Sequence, residues 1–470
     1  MIIMKFGGSS VKNTAAIQRV GKIIKQNGER KPLVVVSALG GITDQLIEAL
    51  EYAEKQNSAK VEEIVNRIEK RHLNLIEALL SESENTVKLK EAIHTELEKL
   101  RILLGATEAI RAQSKRISNA VLSTGELLSS KILNAYLNTL GVTSECADAR
   151  KFIVVSYHGD EVVPQQKTIK KQANAYLQRY FDQYDVTVTQ GFIAVTQQGA
   201  PATLGRDGSD YTASLLGAAL DCEEIQIWSD VDGILTADPS IVSEAKPLES
   251  MTFDEACELA YFGARVLHPA TIQPALENGI PVRVLNSSRP QEKGTVIVAE
   301  NSPSAGQRAS RVKSIAYKEN ITLLTIESSN LLLSPRVMEQ IFMSLYRMGK
   351  KVYAVSKSAT KVSITIENGT DQDNLIRELS KQGRVHVEPN KVIVTVVGED
   401  MRSSHDLSWQ IIRMLDQAGI SIELISQFAD QISLTFIIDE TDIEKTVHLL
   451  HKRLVEKEVT TEAGNVQYWQ

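Results

Sequence analysis

The last third of this chain repeats itself. Sliding the sequence by 70 residues sets Leu323 on Ile393, Thr325 on Thr395, Gln340 on Gln410 and Ile341 on Ile411. The match continues with Leu345 on Leu415, Gly349 on Gly419, Val352 on Ile422, Ser356 on Ser426, Ser363 on Ser433, Ile364 on Leu434 and Thr365 on Thr435, without a gap. The alternating runs 361–367 and 431–438 fall at equal places in the two copies. Alternation with a period of two marks strands with one buried face. Each copy reads strand, helix, strand, strand, helix, with room for a short final strand. That is the split βαβ, ferredoxin-like pattern. The tail is therefore expected to hold two copies of one small α+β unit, 315–388 and 389–470.

The rest of the chain obeys a different rule. A chain of 470 residues suggests two to four domains. Residues 2–6, 33–37, 186–189, 224–229 and 281–286 are continuous apolar runs, as expected of strands buried on both faces. Helical patterns rich in Glu, Lys, Leu and Ala lie between them, and 42–133 is mostly helix-like with a break at 81–85. Strands alternating with helices predict an α/β region, a three-layer, mostly parallel sheet, over 1–299. Residues 300–314 begin Glu-Asn-Ser-Pro-Ser-Ala-Gly and read as a linker.

Composition narrows the function classes. The formal net charge of −7, from 52 basic and 59 acidic residues, is modest and gives no basic stripe, so no nucleic-acid partner is expected. The three cysteines, Cys146, Cys222 and Cys257, are scattered, which suits free thiols in a reducing compartment and no metal site. The apolar start is too short for a signal peptide, and no run reaches the length of a membrane span. A cytoplasmic protein with no membrane association is expected.

No G-x-x-x-x-G-K-[ST] or G-x-G-x-x-G motif follows a strand, so any nucleotide needs another cradle. Lys5-Phe6-Gly7-Gly8-Ser9-Ser10 offers one. A lysine near the end of a buried strand fixes a cation. The glycines let backbone N–H groups approach phosphate oxygens, and a helix starting near 13–15 aims its dipole at the same place. By itself this segment also reads as a plain strand-to-helix turn. Ser37-Ala38-Leu39-Gly40-Gly41-Ile42-Thr43 repeats the design after the second strand, and two such loops at neighbouring strand ends would line one crevice. Glu126, in Ser123-Thr124-Gly125-Glu126, reads as a residue near a helix start in apolar surroundings. Gly205-Arg206-Asp207-Gly208-Ser209-Asp210 is the densest polar cluster. There Ser209 or Asp210 can cap the following helix and Arg206 can fork onto a carboxylate. Ser229-Asp230-Val231-Asp232-Gly233 follows another buried strand and suits a nucleotide edge or a hydrated Mg²⁺. Phe262-Gly263-Ala264-Arg265 adds a cation, and His268 before Pro269 reads as structural.

In this order the segments resemble the aspartate kinases of the amino acid kinase family, across catalytic region, linker and tandem ACT tail. The wording is most similar to the lysine-sensitive class and to the kinase half of the bifunctional enzymes, with no homoserine dehydrogenase region expected. The resemblance implies phosphorylation of the side-chain carboxylate of L-aspartate by ATP with Mg²⁺. It implies Lys5 and Asp210 as catalytic residues. Thr43, Glu126, Arg206 and Ser209 would bind aspartate, Glu126 holding the α-ammonium. Gly7, Gly8, Ser9, Ser37, Ser229, Asp230 and Arg265 would bind the nucleotide. ACT units pair side by side and bind amino acids at the seam, which implies a homodimer and an effector site near Ser334, Val352 and Ser358. The loops 328–335 and 398–406 are the corresponding candidates.

The chain departs from the family pattern at Leu235, Ser240 and Arg265, where Tyr, Arg and Lys are usual. All three substitutions fall on the nucleotide side, so weaker ATP binding is expected, tested by Leu235→Tyr. The effector stretch Val352-Tyr353-Ala354 lacks the acid that recognises a lysine ammonium. The effector is thus left open between threonine, another amino acid and none. The other readings are a kinase for a different acid, a non-catalytic ACT sensor, and an aspartate kinase of a specialised pathway.

Overall fold

The computed structural model describes residues 1–159, 161–263, 269–299, 312–327, 335–369, 372–398, 405–427 and 432–456. The chain divides into two compact units. The first comprises Met1–Ile234, Glu249–Phe253 and Val266–Asn301; the second comprises Leu235–Leu248, Asp254–Arg265 and Ser302–Gln470.

The first unit is a three-layer α/β body. Its strands are β1 (Ile2–Phe6), β2 (Leu33–Val36), β3 (Ser144–Ala147), β4 (Val154–His158), β5 (Glu161–Pro164), β6 (Val186–Gln190), β7 (Ile193–Thr196), β8 (Pro201–Thr203), β9 (Glu224–Ser229), β10 (Ser250–Thr252), β11 (Val282–Asn286) and β12 (Thr295–Val298). Eight of them form one sheet in the order β10-β12-β11-β9-β1-β2-β6-β3. Only the β11–β12 pair is antiparallel. The continuous apolar runs lie at its centre, with every residue of β1, β2 and β6 buried. A four-stranded sheet, β5-β4-β7-β8, stands apart. Its strands are short and half-buried, and the hydropathy pattern did not announce them.

Helices α1 (Thr14–Gln26), α2 (Ile42–Glu54), α3 (Ser58–Leu79), α4 (Glu84–Ile110) and α5 (Lys115–Thr139) fill most of the long helical stretch. The expected break at 81–85 falls between α3 and α4, where Ser83 caps α4 by accepting the Thr86 N–H. Asn13 caps α1 through the Ala16 N–H at 2.9 Å. These helices share one core with the even-numbered face of β1, including Met4, Phe6, Val34, Ile42, Ile93 and Leu133. Helices α6 (Gln166–Gln183) and α7 (Gly208–Leu220) follow in the same unit.

The helix α8 (Phe253–Tyr261) lies mostly in the second unit, and α9 (Pro269–Glu277) in the first. The second unit's sheet uses β13 (Ser314–Glu327), β14 (Val352–Lys357), β15 (Lys361–Glu367), β16 (Arg384–Val397), β17 (Leu424–Gln427) and β18 (Ser433–Asp439), with α10 (Pro335–Arg347), α11 (Gln372–Leu379), α12 (His405–Gln417) and α13 (Ile443–Leu450). The strand order is β14-β15-β13-β16-β18-β17.

The two repeat units share their long strands. The first part of β13 pairs with the end of β16, Ser314 opposite Val397, and its later part pairs with β15, Ile321 opposite Glu367. The end of β16 pairs in turn with β18. Strands β13 and β16 therefore stay paired on both sides of 388/389, with the register shifting between Lys318, Ile321 and Leu323, and the start of β13 serves the second copy. One core lies under α10 and α11, around Leu324, Ile341, Ile364 and Leu375; another lies under α12 and α13, around Val394, Ile411, Phe436 and Val447. Residues 235–248, which the sequence groups with the kinase region, pack into this second core through Ala237 and Val242. Among the described residues no helix is long and apolar enough to cross a membrane.

Candidate active site

The candidate site is built at the C-terminal edge of the eight-stranded sheet. Side chains alternate along a strand, so Ile2, Met4 and Phe6 of β1 enter the α1–α5 core while Lys5 faces the opposite layer. There its ammonium lies 2.6 Å from Asp210 Oδ1, in the first turn of α7. Both side chains are about nine-tenths buried, at 11% and 12% exposure. The carboxylate also sits at the positive end of the α7 dipole.

The loops after β1 and β2 touch through their backbones. The Gly40 N–H donates to Gly8 O at 3.1 Å, and the Ser37 N–H donates to Phe6 O at 3.1 Å. A Cβ on Gly8 would lie 3.1 Å from Ala38 O and 3.3 Å from Gly40 Cα. The expected pair of glycine loops thus forms one continuous rim. Gly7 opens a short 3₁₀ turn, 8–11, that ends just before α1. Ser9 lies half-buried in this turn, and Thr43 lies in the first turn of α2.

Glu126 approaches the same rim from the other side of the sheet. It is 3% exposed. Its Oε1 accepts the Ala38 N–H at 3.1 Å, whereas Oε2 is buried with no hydrogen-bond partner. Burial pushes its carboxyl up to about 8, against the Ala38 hydrogen bond, which favours the ionised form. The sequence placed Glu126 near a helix start. It lies instead in the middle of α5. Gly125 lies within the helix for close approach: a Cβ on it would lie 2.7 Å from Ala38 Cβ.

The Arg206 loop leaves β8 at Leu204. Gly205 at φ 77° and Asp207 at φ 52° turn it into α7. Asp207 is the N-cap residue of α7 and makes no side-chain cap bond, so neither Ser209 nor Asp210 caps the helix; both lie inside its first turn. Ser209 is buried against Gly191 at the end of β6. The Arg206 side chain is 86% exposed, and its nearest carboxylate, Asp207, is 3.8 Å away. The structure leaves this guanidinium in solvent.

On the other flank, Ser229 ends β9 and Asp230 follows it. Ser229 O accepts both the N–H and the hydroxyl of Ser287, at 2.9 and 3.0 Å. Ser10 Oγ donates to Ser287 Oγ at 2.8 Å, linking the first glycine loop to this flank. Asp232 accepts from Asn286 Nδ2 at 2.7 Å and pairs with Arg289. Sequence reasoning missed Asn286, Ser287 and Arg289. The signal was the switch from an apolar strand to Asn-Ser-Ser-Arg at 286–289.

With this geometry in view, the amino acid kinase family profile matches residues 1–286. The chain belongs to the amino acid kinase family. An ACT domain profile matches residues 394–454, within the second repeat copy. Among members of this family, the chloroplastic aspartokinase 1 of Arabidopsis thaliana is 33% identical over 97% of this chain and 80% of its own length. The lysine-sensitive aspartokinase 3 of Escherichia coli is 31% identical over 97% of this chain and 99% of its own. The crystal structure of E. coli aspartokinase III in complex with aspartate and ADP covers 97% of this chain and 99% of that one, at 31% identity and a TM-score of 0.81. A second structure of that enzyme, with lysine and aspartate, has a TM-score of 0.82.

Not every candidate for this family member is brought to the site. Arg265 and Ser334 lie outside the described residues, as do 300–311 of the linker, 328–334 and 399–404. Val352 packs on the first repeat core. Ser358 closes the β14–β15 hairpin, donating its N–H to Lys361 O at 2.8 Å. Leu235 and Ser240 belong to the second unit. Leu235 O accepts the Ser314 hydroxyl, and Ser240 donates to Asp238, whose other oxygen accepts from Tyr317.

Proposed function

We propose that this chain is an aspartate kinase. It transfers the γ-phosphoryl group of ATP to the side-chain carboxylate of L-aspartate, giving ADP and 4-phospho-L-aspartate, the first step toward lysine, threonine and methionine. One observation carries the choice of substrate. Glu126 is a buried carboxylate with one oxygen held by a backbone N–H and the other unpartnered, beside two glycine loops. A buried carboxylate with a vacant acceptor fits the α-ammonium of an amino acid, and ligand binding restores the missing partner.

In this reading Lys5, steadied by Asp210, neutralises charge on the transferring group. The N–H groups of Gly7, Gly8 and Ser9 cradle phosphates together with the Ser37 region. Arg206 swings from solvent onto the substrate's carboxylates, beside Ser209 and Thr43. Ser229 and Asp230 meet the nucleotide, and Mg²⁺ enters bound to the phosphates of ATP. The attacking carboxylate is already ionised near pH 7, so no general base is required. Positioning and charge neutralisation supply the rate. The region 1–299 is read as the catalytic part, followed by the linker 300–314 and two ACT units, 315–388 and 389–470. These ACT units are read as the place where an amino-acid effector and a second copy of the chain bind, in a cytoplasmic enzyme.

The test is trapping of the acyl phosphate. ATP, Mg²⁺, L-aspartate and hydroxylamine should give aspartyl hydroxamate and stoichiometric ADP, with glutamate, N-acetylglutamate and UMP as the competing substrates of the panel, each far less active than aspartate. Absence of hydroxamate with aspartate refutes the reading. Repeating the assay with lysine, threonine and methionine identifies the effector.

A further inference from the structure

The loop that carries Arg206 springs from the small sheet, β5-β4-β7-β8, whereas Glu126 sits on α5. Two groups that hold opposite ends of one substrate need a fixed separation. Asn119 is the residue that ties the two supports together.

Asn119 lies on α5 and is 8% exposed. Its Nδ2 donates to Tyr157 Oη of β4 at 2.9 Å and to Pro201 O of β8 at 3.3 Å. Its Oδ1 accepts the Thr203 hydroxyl of β8 at 3.2 Å. Three of the four bonds an amide can make are therefore spent on the small sheet. Lys115, one turn earlier, places its ammonium 4.3 Å from the centre of the Tyr157 ring. Seven residues separate Asn119 from Glu126, which puts them on one helix face roughly 10.5 Å apart along the axis. On the other side, Thr203 precedes Arg206 by three residues, and Leu204 is anchored by its N–H to Phe192 O at 2.8 Å.

We propose that Asn119 is a positioning residue for the amino-acid substrate. By clamping β8 onto α5 it sets the span between Glu126 and the base of the Arg206 loop, and so the length of the amino diacid that fits. The inference rests on the phosphotransfer reading above. A merely structural amide would stabilise the fold without distinguishing aspartate from ATP or from glutamate.

The experiment measures aspartate and glutamate phosphorylation by the full chain carrying Asn119→Ala, Thr203→Val or Thr203→Ser. Thr203→Val removes one bond of the clamp and spares α5, so it carries the test if Asn119→Ala does not fold. Asn119→Ala removes all three bonds of the clamp and Thr203→Val only one; a tenfold change in binding corresponds to about 1.4 kcal/mol. Asn119→Ala is expected to raise KM for aspartate by about tenfold, with kcat within about threefold and KM for ATP within about twofold. The glutamate-to-aspartate ratio of kcat/KM should rise by about the same tenfold. Thr203→Val should follow at roughly a third of the logarithmic effect, about twofold, and Thr203→Ser, which keeps the hydroxyl, should stay close to the parent. Unmoved aspartate KM in folded variants overturns the inference. So does a loss shared equally by aspartate and ATP. A parent protein that forms no hydroxamate with aspartate overturns the phosphotransfer reading and this inference with it, whereas an active parent with unmoved variants overturns the inference alone.

Discussion

Glu126 sets the behaviour of the site at the scale of single residues. A buried carboxyl raised to about 8 keeps a proton in the folded chain that an unfolded glutamate, near 4.5, has already released. The folded state therefore binds more protons between those values. Its contribution is fully present below about pH 4.5 and is lost as pH rises through about 8, at up to ~1.4 kcal/mol per pH unit. Glu126→Gln removes that slope. Urea midpoints should show the variant gaining on the parent between pH 6 and pH 9 while hydroxamate formation falls by about 10²-fold or more; parallel stability profiles would overturn the burial account. The same titration acts on substrate binding. The aspartate ammonium needs the ionised carboxylate, so KM for aspartate should fall as pH rises from 6.5 to 8.5. Lys5 belongs beside it, as the cation of the Asp210 pair. Lys5→Met should cost about 10²–10³ in kcat, and Lys5→Arg should not restore it, because a planar fork does not occupy the place of a point charge.

At the scale of elements, the site is the meeting of two strand-to-helix loops. Their contact is backbone on backbone, so it has no slack. Gly8→Ala would press a methyl against Ala38 O at 3.1 Å and Gly40 Cα at 3.3 Å. One loop or the other must move by a few tenths of an ångström. The expected cost is about 1–3 kcal/mol in stability, with KM for ATP raised more than KM for aspartate, readable by steady-state kinetics and urea unfolding. These loops were legible because buried strands are continuous apolar runs and glycines follow them directly. The support for Glu126 was not, because Gly125 inside a long helix carries the same letter as a glycine in a turn. Only the proximity of Ala38 tells the two apart. The sheet β5-β4-β7-β8 was hidden for another reason. Three- to five-residue strands with mixed exposure carry too short a period to register.

At the scale of the whole chain, the repeat that identified the tail also explains how it is joined. A simple tandem would close one sheet and begin another. Instead β13 and β16 run through both copies, each bending once. The bends are at Asn320, φ 60°, and Asn390, φ 58°, and these residues are 70 apart, as every other repeat pair is. Both are exposed, so their identity is set by backbone conformation rather than packing. Asparagine tolerates the left-handed region, and glycine does so freely, whereas a β-branched residue does not. A sequence scan sees two long apolar-alternating stretches and places a boundary between copies; the corner shows that the copies are interleaved. Asn320→Gly and Asn390→Gly should each leave stability within a few tenths of a kcal/mol of the parent. Asn320→Val and Asn390→Val should each cost about 1–2 kcal/mol in urea unfolding. The two losses should add within about 0.5 kcal/mol if the corners act independently. A double variant losing markedly more than the sum would show that the two bends form as one event, as expected if the paired long strands fold together and carry both ACT-like copies with them.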